Sequence, residues 1–226
     1  MSRGRACLSS IVVKASRQVS DSVTRVDREQ GWVPANRVDG WFLARVREHA
    51  RNLGALAAAL PDTAAEPRIR QADARDTRGL KPGSVGGIVS SPPYPGTFDY
   101  VEHHRRRYVA LGLNPKLAEQ AELGSRREQR RLGWREATAR FGHDLSDAMR
   151  AWRRALARNG RVLLVLGDGQ HRDGIIETLP LALEAGERAG LKTVASVSQP
   201  RRVRGHVDGG GVRHKEEHVI ALEHAR

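Results

Sequence analysis

The chain carries one cysteine, Cys7, in 226 residues. That excludes an internal disulfide framework and fits a reducing compartment, with Cys7 an ordinary buried residue. Aromatics are scarce at 4%, so a core has to be built from Ala, Val and Leu. No apolar run approaches the roughly 18 residues a membrane helix needs, and the opening Met1-Ser2-Arg3-Gly4-Arg5 is not followed by a stretch adequate for a signal peptide. These absences predict a soluble, cytoplasmic protein with no membrane partner. Metal-ligand patterns are also missing. His103-His104 beside Glu102 and Asp99 comes nearest, but adjacent histidines diverge and no further ligand pair is spaced to close a tetrahedral site.

What is abundant is arginine, 34 residues against five lysines, giving a formal charge of +13 and a pI near 11.1. Such a balance suggests a polyanionic partner, since each phosphate contact releases a condensed counterion. Part of the bias reflects a coding style that favours Arg and Ala, so its distribution says more than its total. Between Arg105 and Arg140 stand ten basic and four acidic residues, either a phosphate-tracking surface or a solvated, salt-bridged helical face.

Along the chain, strand and helix patterns alternate. Leu8 to Lys14 is a short apolar run that reads as a strand, and Trp32-Val33-Pro34 reads as a loop. From Trp41 to Leu60, Phe42, Val46, Leu53, Leu56 and Leu60 fall on one helical face, with Pro61 as the stop. Ile69 to Asp76 reads as a strand ending in an acid, and Val85 to Val89 as a second strand. A helix is predicted from His143 to Arg158, capped by Asp144, with Leu145, Ala148, Met149, Trp152 and Leu156 as its buried stripe and Asn159-Gly160 as its end. Arg161 to Leu166 is a continuous apolar strand and Ile175 to Ala189 a helix. Lys192 to Val197 and His218 to Leu222 are the last strands, joined through the Gly-rich link Asp208 to Gly211 as a hairpin. The paired acids Glu216-Glu217 need only be solvated. The pattern gives an α/β domain with a mostly parallel sheet and an antiparallel last strand.

The most informative segment is Ser90-Ser91-Pro92-Pro93-Tyr94-Pro95-Gly96-Thr97-Phe98-Asp99-Tyr100. Each proline fixes its φ near −65°, and Pro93 drives Pro92 out of the α region, so the loop is stiff before any ligand arrives. Neither Pro92 nor Pro93 has an N–H to compete for the neighbouring carbonyls. An exocyclic amine has two hydrogens to give. If the Ser91 hydroxyl accepts one and the Pro92 carbonyl the other, the nitrogen is held with its lone pair free to attack. Tyr94 offers a stacking face. The same four residues also occur in polyproline II ligands, so it is the preceding strand that favours a pocket.

Ser91-Pro92-Pro93-Tyr94 resembles the catalytic signature of the amino-methyltransferases, which transfer a methyl group from S-adenosylmethionine to the exocyclic nitrogen of cytosine or adenine. Asp, Asn or Ser stands first in that signature, and Ser is most often seen where N(4)-methylcytosine is made in DNA. The resemblance implies a class I methyltransferase-like, Rossmann-like fold. It covers Arg68 to Arg226, strongly at the pocket and weakly in Asn159-Gly160, Gly167-Asp168 and the ending Lys215-Glu216-Glu217-His218-Val219-Ile220. It also implies roles: Ser91, Pro92, Pro93 and Tyr94 are catalytic, and Asp73, Ala74 and Ser91 face the cofactor. Phe98, Tyr100, His103, Arg105, Arg106 and Arg107 meet a nucleic acid whose target base is flipped from the duplex. The expected partner is DNA, which places the protein at the nucleoid.

One departure stands against these matches. The family holds the methionine end of its cofactor with a Gly-rich loop upstream of the acid-bearing strand, and nothing between Met1 and Ile69 resembles it. Gly167-Asp168-Gly169 follows a strand but comes after the pocket, and a lone Gly-x-Gly is weak evidence. The expectation is a single domain over 1–226, N-terminally truncated, with segments 1–66, 67–104 (pocket motif), 105–142 (basic insertion) and 143–226. A second polypeptide would supply the absent loop. Methylation of an RNA base and a non-catalytic nucleic-acid-binding remnant of the fold are the alternatives.

Overall fold

The computed structural model describes residues 3–20, 23–201 and 215–225. In chain order the elements are α1 (Arg3–Ala15), β1 (Gln18–Ser20), β2 (Val23–Val26), α2 (Ala35–Ala59), β3 (Val85–Ser90), α3 (Tyr100–His103), α4 (Arg105–Ala110), α5 (Lys116–Ala121), α6 (Arg126–Arg131), α7 (Trp134–Ala155), β4 (Leu156–Gly167), β5 (Gly169–His171), β6 (Gly174–Ile176), α8 (Thr178–Arg188), β7 (Leu191–Arg201) and β8 (Lys215–His224). They gather into two compact units, Met1–Arg70 with Tyr100–Gln120, and Gln71–Asp99 with Ala121–Arg226. Both the 67–104 and the 105–142 segments are divided between them.

In the first unit α1 packs against α2, α4 and β1. The strand expected at Leu8 to Lys14 is instead part of this helix. Cys7, Ile11 and Val12 are its buried residues, and their spacing of four and five matches one helical face rather than the alternation of a strand. α2 begins after Pro34 and ends before Leu60 and Pro61. It contains the predicted helix, but none of its residues is fully buried, so the apolar stripe through Val46, Leu56 and Leu60 stands in solvent.

The second unit is built on a four-stranded sheet in the order β3-β4-β8-β7. β3 and β4 pair in parallel, whereas β4 with β8 and β8 with β7 are antiparallel. The α/β class and the antiparallel last strand agree with the sequence pattern, but the mostly parallel sheet does not: among the described residues only β3 and β4 pair in parallel, because β8 lies between β4 and β7 and runs against both. The Asp208 to Gly211 link lies outside the described residues, while the strands on either side pair from Leu191 with His224 to Arg201 with Lys215.

α7 and α8 cover one face of the sheet. Leu145, Ala148, Met149 and Trp152 pack there on Val162, Leu164, Leu166, Ile220 and Leu222, so the expected stripe is buried. Two boundaries differ. α7 starts at Trp134 rather than His143 and stops at Ala155, with Asn159-Gly160 inside β4. Gly160 is required there, because a Cβ would meet the Gly86 carbonyl oxygen at 2.9 Å. Ile175 and Ile176 pair with β5, so the next helix begins only at Thr178. The predicted strand from Ile69 to Asp76 is not formed. Asp73 Oδ1 accepts the Arg75 amide at 2.9 Å, and Asp76 Oδ1 accepts that of Arg78 at 2.9 Å. These are side-chain turns that compete with extended pairing.

No helix among the described residues is long and apolar enough to cross a membrane.

The two faces of the sheet give a direct test. Leu164 is fully buried while its neighbour Leu163 is 39% exposed on the opposite face beside Val89. Leu164→Ala should cost about 2–5 kcal/mol in urea unfolding, and Leu163→Ala less than about 1 kcal/mol.

Candidate active site

β3 and β4 run side by side to the pair Ser90 and Leu164, and the Pro-rich corner begins at the next residue. Ser91 is exposed, Pro92, Pro93 and Tyr94 are half-buried, and Pro95 and Gly96 are buried. The corner is fastened by backbone bonds. Gln170 N donates to the Pro95 carbonyl at 2.8 Å, Gly96 N to Gly124 O at 2.8 Å, and Thr97 N to Tyr94 O at 3.1 Å. Glycine makes this closeness possible. Gly96 has φ +64°, and a Cβ on it would lie 1.8 Å from the Gln170 carbonyl oxygen. One on Gly169 would lie 2.4 Å from the Pro95 oxygen, and one on Gly167 2.5 Å from the Tyr94 ring. Gly167 and Gly169 thus serve as the seat of the corner, which accounts for the Gly-x-Gly after a strand without any cofactor loop.

Tyr94 is held on several sides. Its hydroxyl donates to Glu217 Oε1 at 2.7 Å, and the Arg201 guanidinium lies over its ring, 5.1 Å from the centroid. Burial, reinforced by the Glu217 bond, raises the phenol pKa, against opposing contributions from a Ser91 hydroxyl bond and Arg201. Glu217 is therefore more than the solvated acid expected from the sequence. Tyr94 gives its proton to Glu217, and the Ser91 hydroxyl lies near enough to influence the phenol. The Pro92 carbonyl has no hydrogen-bond partner among the described residues.

Behind the corner, Asp168 ties three elements together. Its Oδ1 accepts from Thr178 N at 3.0 Å and is 3.2 Å from His218 Nε2, while Oδ2 accepts from Glu216 N at 3.0 Å. His218 Nδ1 in turn lies 2.8 Å from Ser198 Oγ. Burial by itself raises the Asp168 pKa, but the Thr178 and Glu216 amides together with His218 outweigh it, leaving the carboxyl below its ordinary value of 3.8. Nothing in the local sequence marks His218 or Ser198. Their partnership depends on the register that sets residue 218 opposite 198.

Asp73 and Ala74, the expected cofactor residues, lie in the coil before β3. Arg75 binds both Asp73 oxygens, Nε to Oδ1 at 3.0 Å and Nη2 to Oδ2 at 2.7 Å, and reaches Asp144 Oδ1 at 2.7 Å with Nη1. The Arg75 hydrogen bond is the main reason the Asp73 pKa is lowered. The Ala74 carbonyl accepts Trp152 Nε1 at 3.0 Å. Asp144, expected as a helix cap, lies inside α7 and is buried. Its role is to hold Arg75, which needs a carboxylate on the inner face of the helix.

Among the nucleic-acid candidates, Phe98 belongs to the second unit, where its carbonyl accepts Arg126 N at 3.4 Å and the neighbouring Asp99 accepts Arg127 N at 2.8 Å. Tyr100, His103, Arg105, Arg106 and Arg107 belong to the first unit. There His103 is buried, Arg105 pairs with Glu102 at 2.8 Å and Glu119 at 3.7 Å, and Arg107 Nε donates to Ser9 O at 3.0 Å. Arg106 lines an apolar cavity of about 590 Å³ with Leu8, Ile11 and Val109. Tyr100 is exposed and meets the His104 ring edge-on. Among the described residues no group of three or more His, Cys, Asp or Glu side chains is placed to hold a metal ion.

No protein-family model matches the chain, and no curated protein does. Among solved structures, the chain is similar to TTHA0409 of Thermus thermophilus, a candidate DNA modification methylase. In complex with S-adenosyl-L-methionine that protein is 18% identical with a TM-score of 0.44, over 68% of this chain and 54% of that one. Its selenomethionine derivative gives 16%, 0.41, 68% and 51%. A SAM-dependent methyltransferase of Leishmania major is 10% identical with a TM-score of 0.30, over 96% of this chain and 83% of that one. The chain spans about half the length of the Thermus protein.

Gly96→Ala should be strongly destabilising, by more than about 3 kcal/mol in chemical denaturation, since it combines a left-handed φ with a backbone clash. The Asp168 carboxyl has a folded pKa below its unfolded one, so its stabilisation is complete above the unfolded value and is lost as pH falls through the folded value. Thermal scans should show the wild type losing stability in acid more steeply than Asp168→Asn. At neutral pH the variant should be weaker by about 1–3 kcal/mol.

Proposed function

We propose that this chain is a methyltransferase of nucleic-acid bases, acting on an exocyclic amino group with S-adenosylmethionine as methyl donor, and that cytosine N(4) in DNA is favoured over adenine N(6). The observation that carries this reading is the corner itself: a stiff loop at the carboxyl end of β3 with two acceptors to offer, the exposed Ser91 hydroxyl and a Pro92 carbonyl without a hydrogen-bond partner among the described residues. An amino group has two hydrogens to match them. With both accepted, its lone pair points away from the loop, and holding that geometry is what a transfer of this kind requires of the protein. In this reading Ser91 and Pro92 bind the amine, while Glu217 fixes Tyr94 through its hydroxyl. Pro93 keeps Pro92 extended. A base that stacks on Tyr94 takes the place Arg201 holds. Because the nitrogen attacks with its own lone pair, no strong base is needed beforehand, and the proton it sheds afterwards has the exposed Ser91 side as its route to water.

S-adenosylmethionine supplies an electrophilic methyl on a sulfonium. The residues present fit the acceptor half of such a site better than the donor half, since both Asp73 oxygens are occupied by Arg75 and no Gly-rich loop precedes the corner in the sequence. A second polypeptide that supplies that loop is part of this reading. The same two observations favour a second one, in which the chain binds nucleic acid without catalysis. Phe98, Tyr100 and Arg105 to Arg107 are proposed contacts to the polymer in either case, whereas His103, expected among them, is buried.

Transfer of labelled methyl groups to matched DNA and RNA substrates separates these readings. Ser91→Ala should lower the rate roughly 100-fold, the scale of a misplaced reacting group. Glu217→Gln should lower it at unchanged cofactor affinity. Modification of RNA alone would move the substrate, and nucleic-acid binding without transfer at saturating cofactor would leave the binding module. By calorimetry the isolated chain should bind S-adenosylmethionine more weakly than low-micromolar. Tighter binding would remove the need for a second polypeptide.

A further inference from the structure

The end of the sheet away from the corner carries a second concentration of charge. The last turn of α7, the start of β4 and the start of β7 together form a cleft of about 700 Å³, lined by Arg153, Arg154, Arg158, Arg161, Lys192 and Glu223. Five cations face one carboxylate. Glu223 is shared between Lys192 at 3.1 Å and Arg161 at 3.6 Å. Arg158 has no hydrogen-bond or ion-pair partner among the described residues. Arg153 and Arg154 are held by carbonyls rather than carboxylates: Arg153 Nε donates to Gly190 O at 3.1 Å, and Arg154 Nη2 to Thr77 O at 2.8 Å. Such bonds fix the direction of a guanidinium without neutralising it, although Asp76, itself paired with Arg78, lies near enough to Arg154 to feel its charge. Both also lie in the last helical turn, where the carbonyl ends favour cations, so their presence alone needs no ligand. The excess that helix electrostatics does not explain is on β4 and β7, where Arg158, Arg161 and Lys192 add three charges against Glu223.

We infer that this cleft binds the phosphodiester backbone of a nucleic acid at a site separate from the Pro-rich corner. A concave surface with uncompensated charge concentrates anions, and guanidinium forks match phosphate oxygens bidentately. The cations are spread over three elements, so they match a row of phosphates better than one. Position separates the two sites. Ser90 pairs with Leu164, while Leu156 pairs with Val85 and Arg161 with Gly87, so Arg158 stands three to five residues down β3 from Ser90, roughly 10–16 Å at 3.3 Å per residue. The polymer held here is gripped by its backbone, without reference to sequence, and the inference does not depend on methyl transfer.

The test is fluorescence anisotropy of the full chain with a labelled 20-base-pair duplex of arbitrary sequence, between about 50 and 300 mM NaCl. Arg158→Gln with Arg161→Gln should lower the slope of log affinity against log salt by about 2, at about 0.9 per lost phosphate contact, and weaken binding at least tenfold at 0.1 M salt. Arg45→Gln with Arg188→Gln removes the same net charge elsewhere and should leave the slope unchanged. Equal slopes for the two double variants would overturn the inference. Hydrogen exchange on the unaltered chain gives an arm free of folding effects: added duplex should protect the amides around Arg158 to Arg161, and their unchanged exchange under saturating duplex would also overturn it.

Discussion

The second unit depends on the close seam between Pro95–Gly96 and Gly169–Gln170. A loop of three prolines has few amides with which to anchor itself, so it must be held by what its carbonyls accept and by how near the opposite chain can come. The 2.8 Å bond from Gln170 N to the Pro95 carbonyl is possible only because two glycines face each other there. The end of β4 and the start of β5 deliver Gly167, Asp168 and Gly169 in succession: the first seats Tyr94, the second joins β8 and α8, and the third admits Pro95. The corner is thereby fastened to the sheet, and Ser91 and Pro92 follow directly on the pairing of β3 with β4.

Charge is used differently in the interior and at the surface. Asp168 is stabilised by amides and a histidine, and Glu217 by a phenol. Asp73 and Asp144, by contrast, share Arg75, which fastens the coil before β3 to α7. Each arrangement answers the same need, that a partly buried carboxylate must be satisfied at several lone pairs.

The inner sheet and its helix were legible in the sequence because Leu145, Ala148, Met149 and Trp152 repeat at helical spacing and Val162 to Leu166 is a continuous apolar run, although the run suggests burial on both faces and the structure leaves Leu163 39% exposed. The corner was legible because proline constrains the backbone wherever it stands. Less legible was α1, where Ile11-Val12-Val13 has strand-forming side chains and only the tertiary contact of one face makes it a helix. The segment around Asp73 carries Asp-x-Arg twice, at 73–75 and 76–78, and this turn chemistry was outweighed by its resemblance to an acid-ended strand. The bonds of Glu217, Arg201 and His218 join residues far apart in the chain and follow from strand register alone, which no local pattern encodes.

α7 passes into β4 without a connecting loop, Ala155 being helical and Leu156 already extended. The register against β3 then slips: Leu156 faces Val85 but Arg161 faces Gly87, so β4 uses three residues more than its partner before the regular pairing of Val162 to Leu164 begins. The slack lies between helix and core strand, where a residue gained or lost can be absorbed by the bulge without reversing the inward direction of Val162, Leu164 and Leu166.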